Sequence, residues 1–231
     1  MKFAQLVLLL LIGNFLLAQG EETVFVDRYA VEGERYPDIK GNPYLFKNGK
    51  WFKADLITRE LKTIPNILTR YNTYTGDMEV KRENGDTYYK LVPKDFVRIE
   101  FSVDENGKTA LDPDQRLIFQ NGFHPRFNNR FVNLVYTGNS MVVFRDYRCI
   151  ISDEAARRVG QSIEVKQFRP RVDYYLLKNG ELSELNVRKN ALIKILGHKK
   201  QLDTFFKENK LDLDNTFDLQ KVFAYAESLG K

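Results

Sequence analysis

The 231-residue chain holds one cysteine and two histidines. With a single thiol, Cys149, it cannot close an internal disulfide, so apolar burial must carry its stability. His124 and His198 lie far apart, and with one cysteine they give no cluster at the spacing of a zinc site. Neither a P-loop nor a dinucleotide fingerprint is present. The hydrolase elbow is missing too. Gly138-Asn139-Ser140-Met141-Val142 lacks the second glycine and reads as a β-turn, where that chemistry needs a strand-to-helix turn. Beyond Leu17 no run is apolar enough to span a bilayer. Charge of one sign is also lacking: 36 basic residues are interspersed with 31 acidic ones, a net charge of +5 that gives nucleic acid no support as a partner.

What is present begins with MKFAQLVLLLLIGNFLLAQGEE. One basic residue, an apolar run to Leu17 and small residues at Ala18 and Gly20 have the plan of a secretory signal peptide over residues 1–20. A retained anchor is the alternative, but Gln5 and Asn14 interrupt a run already short of the ~20 apolar residues a spanning helix needs. Cleavage would leave 211 residues, enough for a sizeable core, at a net charge of +4 once Lys2 is gone. Residues 21–42 mix charges with Gly33, Pro37 and Gly41 and read as an N-terminal arm.

From residue 43 to 186 the pattern is that of successive antiparallel hairpins. β-branched and aromatic runs at 67–74, 77–82, 86–92, 95–103, 116–122 and 130–138 are punctuated by Thr75-Gly76 and Asn84-Gly85, Thr137-Gly138-Asn139 is expected to join 130–138 to SMVVFRDYRCII (140–151) as a hairpin, and a further hairpin is expected at 172–185 around Asn179-Gly180. In FVRIEFSV, Val97 breaks the alternation of Phe96, Ile99, Phe101 and Val103. After Asn186 the period shifts toward 3.6. Val187, Ala191, Leu192, Ile195 and Leu196 fall on one helical stripe ending at Gly197. Leu202, Phe205 and Phe206 mark a second helix and Leu219, Val222, Phe223 and Ala226 a third, capped by Asn215 or Thr216. Helices this short need a surface to bury against. The expected fold is α+β: a mainly antiparallel sheet, curved or partly closed, with a helical C-terminal cap over 187–231.

YLF near the start, RYNTY, LVYTGNSMVVFRDY, YYLLKNGELSEL and the terminal KKQLDTFFKENKLDLDNTFDLQKVFAYAESL together resemble exported β-rich proteins of Bacteroidota-type bacteria with a helical C-terminal segment. The resemblance implies fold and compartment. It carries no catalytic signature.

Cys149 shares its strand parity with Met141, Val143, Tyr147 and Ile151 and is expected as a buried, inert thiol, since no histidine is bound to be its base. Asp104-Glu-Asn-Gly-Lys108 and Asp112-Pro-Asp114 offer oxygens, but Gly107 stands fourth from Asp104 where a calcium loop needs its glycine sixth, and a hairpin turn accounts for Asn106-Gly107 without an ion. No cofactor or metal is expected. Paired carboxylates cannot be picked out by sequence, because their separation is a spatial property. The remaining sharp feature is basic. Arg126 and Arg130 flank Phe127 and Phe131, while Arg188, Lys189, Lys194, Lys199 and Lys200 would line the first two terminal helices, a surface suited to an acidic protein patch, acidic glycan or lipid headgroup of the envelope. The leading reading is a non-enzymatic exported accessory protein of the envelope. A carrier of a lipid-like ligand in an apolar β cavity and a carboxylate-dependent hydrolase are the alternatives.

Overall fold

The computed structural model describes residues 28–31, 36–85, 87–110, 112, 115–158 and 161–230, with side chains outside 28–31 and 154–164. The export signal expected over 1–20 lies outside the described residues. Eleven strands form one antiparallel sheet: β1 (Arg28–Val31), β2 (Phe52–Thr58), β3 (Thr63–Asn72), β4 (Asp77–Lys81), β5 (Thr87–Lys90), β6 (Phe96–Phe101), β7 (Leu117–Gln120), β8 (Val132–Thr137), β9 (Met141–Arg158), β10 (Gln161–Lys178) and β11 (Glu181–Leu185). Their spatial order is β1-β5-β4-β3-β2-β6-β7-β8-β9-β10-β11. Three helices follow, α1 (Lys189–Leu196), α2 (Lys199–Asn209) and α3 (Thr216–Leu229). This is the expected α+β fold with a helical cap. Among the described residues no helix is long and apolar enough to cross a membrane.

The turn signals sit where hairpins bend. Gly76 (φ 78°) and Gly180 (φ 80°) adopt left-handed backbone between β3 and β4 and between β10 and β11. The break at Val97 has a physical cause: Ile57 pairs with Arg98 but Thr58 with Phe96, so Val97 is the extra residue of a β-bulge. Part of the expected arm is strand, since Arg28–Val31 pairs with β5.

The sheet is open but curled. The end of β3 returns to the middle of β9, where the Cys149 amide donates to the Thr73 carbonyl at 3.1 Å. Across the curl, the Tyr71 hydroxyl donates to the Phe131 carbonyl at 3.3 Å. Phe101, Phe119, Ile99, Leu56 and Tyr71 fill the interior, and burial pushes the Tyr71 hydroxyl up to about 12. Within the same half, Arg70 is buried with its Nε 2.8 Å from Oε2 of the fully buried Glu79, and its guanidinium lies 4.2 Å from the Tyr44 ring and 4.1 Å from the Trp51 ring.

The cap covers the other end of the sheet. Leu192, Leu202, Leu219, Val222 and Phe223 pack on Val135, Met141, Val143 and Leu176. Asn215 caps α3 by accepting from the amides of Phe217 and Asp218, and Gly197 (φ 78°) ends α1. Two details differ from the sequence pattern. On α1 the buried side is Leu192, Ile193 and Leu196, with Ile195 exposed, and Phe205 is half-buried, stacked on Tyr225 at 4.1 Å.

Two polar seams fasten the cap. Glu227, in the last turn of α3, accepts from the Ser140 amide (2.7 Å), the Ser140 hydroxyl (2.7 Å), the Asn139 amide (3.2 Å) and the Tyr136 hydroxyl (2.8 Å). These donors, the Ser140 amide foremost, hold its carboxyl down at about 2. Gly138 leaves room for this contact, since a Cβ there would displace the Glu227 carboxylate from its place. At the other seam, Glu105 Oε2 accepts from Arg145 at 2.7 Å and from the Thr216 hydroxyl at 2.6 Å, tying the 104–107 turn to the start of α3.

Candidate functional site

β9 and β10 are each 18 residues long, roughly 60 Å at ~3.3 Å per residue, and far outreach their neighbours. Only Asn133–Thr137 of β8 pairs with β9, and only Tyr174–Lys178 of β10 pairs with β11. The sequence reading of a hairpin confined to 172–185 missed this ribbon. Its runs are short and charged, and Pro170 reads as a strand breaker. Pro170 is tolerated because it lies on the outward edge of β10, where the flanking Phe168 amide bonds the Lys40 carbonyl. There it removes one edge donor and blunts strand addition.

Two faces of this ribbon differ. One carries Val143, Arg145, Tyr147 and Cys149 toward the core. Cys149 is buried as expected, and burial pushes its thiol pKa up, the condition of an unreactive cysteine. Ser140 is committed to Glu227, and Asp104 Oδ1 accepts the Asn106 and Lys108 amides of its own turn. His124 Nδ1 accepts the Arg126 amide. Among the described residues no three His, Cys, Asp or Glu side chains gather as metal ligands.

The opposite face collects arginines. A 3-10 turn over Pro125–Phe127 lowers the buried Phe127 edge-on against Phe144 and Tyr175, both at 5.2 Å, so its neighbours are delivered over the strands. Arg126 places its guanidinium 5.1 Å from the Tyr175 ring and donates to the Tyr175 hydroxyl at 3.3 Å. Arg148 donates to the same hydroxyl at 2.9 Å. Asp146, buried on the strand, lies 3.1 Å from Arg130 and 3.0 Å from Arg148, and Asp173 lies 2.6 Å from Arg148 and 2.8 Å from Arg171. Several of these atoms, Asp146 Oδ1 and Arg130 Nε among them, are close in charge but unaligned for hydrogen bonds. The contacts of Asp146 therefore act through Coulomb attraction more than directed bonding, whereas Arg171 Nε donates squarely to Asp173 Oδ1 at 2.8 Å. Burial raises the Asp146 pKa against the pull of Arg130 and Arg148.

Four guanidiniums thus face three carboxylates, since Glu184, paired with Tyr175 across β10 and β11, adds its charge beside Arg171. Arg126 and Arg171 are exposed, whereas Arg130 and Arg148 are about one-third exposed at 29% and 34%. An incoming anion meets a face with a net excess of positive charge and planar forks already ordered by Tyr175 and the aspartates. Of the residues singled out in sequence, Arg126 and Arg130 belong here. Arg148, Arg171, Tyr175, Asp146 and Asp173 escaped notice; same-face alternation in RDYR (145–148) and RVDYY (171–175) is the signal that places them together. The cap cations sit elsewhere. Lys189 pairs with Asp203 at 3.0 Å and lies over Phe206, and Arg188, Lys194, Lys199 and Lys200 are exposed on or beside α1 and α2.

A second concavity of about 170 Å3 opens between the 104–107 turn, β7–β9 and the start of α3. Its wall mixes polar side chains with Leu117, Leu134 and Phe217, and Arg145 is engaged by Asn133, Tyr174 and Glu105. No family model, curated protein or solved structure matches this chain.

Proposed function

We propose that this chain is an exported accessory protein of the cell envelope that holds an anionic partner on the arginine face of β9 and β10. The observation that carries the reading is the gathering of Arg126, Arg130, Arg148 and Arg171 around Asp146, Asp173 and the Tyr175 hydroxyl, an excess of arginine even with Glu184 counted beside Arg171. The partner's recognised groups are carboxylate, phosphate or sulfate oxygens, which arginine forks grip in pairs. The leader-like residues 1–20 support the compartment. The face supports binding in preference to turnover: Ser140 and Asp104 serve as fastenings of turn and cap, and Cys149 lies on the opposite, buried side of the strand.

The test has two arms. Retention of the mature protein on immobilised heparin, on polygalacturonate and on phosphatidylglycerol vesicles is measured against salt, beside an Arg126→Gln/Arg171→Gln variant. At least one surface should retain the wild type in a salt-sensitive way and lose the variant, and equal retention of both proteins would sink the reading. Protein recovered from its own cells should begin near Glu21 in the soluble envelope fraction, and an intact Met1 in membrane extracts would remove the export half of the proposal.

A further inference from the structure

The cleft at the seam between sheet and cap has a different chemistry from the arginine face. Its charges are balanced, Arg116 and Arg145 against Asp104 and Glu105, and Arg145 already donates to Glu105. What it does hold is a set of unspent planar amides: among the described residues, the side-chain amides of Asn106, Gln115 and Gln220 have no protein partner. Each offers a donor and an acceptor a fixed distance apart, the pairing that adjacent hydroxyls require. The buried Arg116 Nε is likewise without a hydrogen-bond partner.

An aromatic ring stands at the same cleft. Phe217, in the first turn of α3, is 43% exposed, one of the few large apolar side chains left in water. Lys221 lies 4.4 Å from its ring centre on the helix side. The ring's negative face attracts weakly polarised C–H groups, so a molecule that pairs hydroxyls on its edge with C–H on its face suits this wall. At about 170 Å3 the cleft falls below the ~300–1,000 Å3 of sites enclosing drug-sized ligands, which limits the occupant to about one small ring.

We propose that this cleft is a saccharide-binding subsite that seats a single neutral sugar ring, its face on Phe217 and its hydroxyls on Gln115, Gln220 and Asn106. The site does not depend on the arginine face. It places a neutral glycan against the seam where Glu105 joins Arg145 on β9 to Thr216 on the cap.

The test titrates the mature protein with glucose, galactose, mannose, N-acetylglucosamine and their β-linked trisaccharides while following backbone amide shifts by NMR. At least one sugar should shift the amides of Phe217, Asp218 and Glu105 saturably, with a Kd of about 1 mM. Phe217→Ala should weaken that binding about tenfold, Phe217→Tyr should keep it, and Gln220→Ala should weaken it several-fold, all at unchanged retention on the anionic surfaces. Phe217 is exposed, so these variants should fold, and their thermal midpoints check it. The proposal is overturned if no sugar moves those amides at about ten times that concentration, or if the shifts survive in Phe217→Ala.

Discussion

Arg70 with Glu79, and the arginines around Asp146 and Asp173, are ion-paired groups built to opposite ends. Arg70 and Glu79 form a matched pair inside the curled half of the sheet, 8% and 0% exposed, with Tyr44 and Trp51 flanking the guanidinium. On the open face of β9 and β10, Arg130, Arg148 and Arg171 share Asp146 and Asp173, Arg126 stands beside them over Tyr175, and Arg171 is 60% exposed. A matched, sealed pair can only stabilise or destabilise the fold, because no solvent-borne partner reaches it. An unmatched open cluster keeps field lines directed outward, available to something that is not yet there. Accessibility and charge imbalance, more than the number of arginines, separate the structural cluster from the recognising one.

The comparison breaks most readily at the buried pair. Arg70→Ala strips Glu79 of its cation inside the core and should lower unfolding free energy by about 3 to 5 kcal/mol, the same scale as Phe223→Ala in the cap. Urea unfolding measures both. A loss under about 1 kcal/mol for Arg70→Ala would mean that water already reaches Glu79 and that the two clusters are not opposites.

A smaller effect tests the inner face of the recognising strand. Cys149 lies on the side of β9 that faces away from Asp146 and Arg148. Cys149→Ser should cost on the order of 1 to 3 kcal/mol by burying a hydroxyl, and alkylation of the folded protein at neutral pH should be slow beside that in denaturant. Fast alkylation would open both faces of the strand.

Glu227 sharpens the contrast from a third position, since neutral donors and no cation hold it. Its folded pKa of about 2 lies below the ordinary 4.5, so its contribution is complete above pH ~4.5 and is lost as pH falls through ~2. Glu227→Gln should lower the thermal midpoint at pH 6, and the gap to wild type should close in strong acid. A gap independent of pH would assign the effect to packing.

The smallest change belongs to the open cluster. Arg171→Gln should leave the urea midpoint close to that of wild type, because an exposed ion pair is screened by solvent. Its effect should appear in retention on the anionic surfaces. A large stability loss with unchanged retention would reverse the roles given to the two clusters.

Much of this was legible residue by residue. Thr75-Gly76 and Asn179-Gly180 bend hairpins because their glycines take left-handed backbone, and Leu219, Val222, Phe223 and Ala226 bury because they recur at helical spacing. Even the anomaly at Val97 was visible, although only the pairing of β2 with β6 showed that it is a bulge. The arginine face was half legible. Arg126 and Arg130 stand out beside their phenylalanines, whereas Arg148 and Arg171 lie on different strands and become neighbours only through a register that pairs them across the ribbon.

The sequence by itself determined most of the elements, though not the length of the β9–β10 ribbon: periods of 2 and 3.6, turn glycines, a capping asparagine, and a single thiol that rules out an internal disulfide. These are local properties, dictated by φ/ψ preferences and by which face of an element is apolar. Tertiary structure alone decided which charges are sealed and which are offered. Arg70 and Arg148 are alike as letters, but one is enclosed by the rings of residues 44 and 51 and the other is left at a surface with two aspartates for three companions. Burial and long-range pairing set a charge's environment, and those depend on partners up to 111 positions away, as between Glu105 and Thr216, which no local pattern encodes.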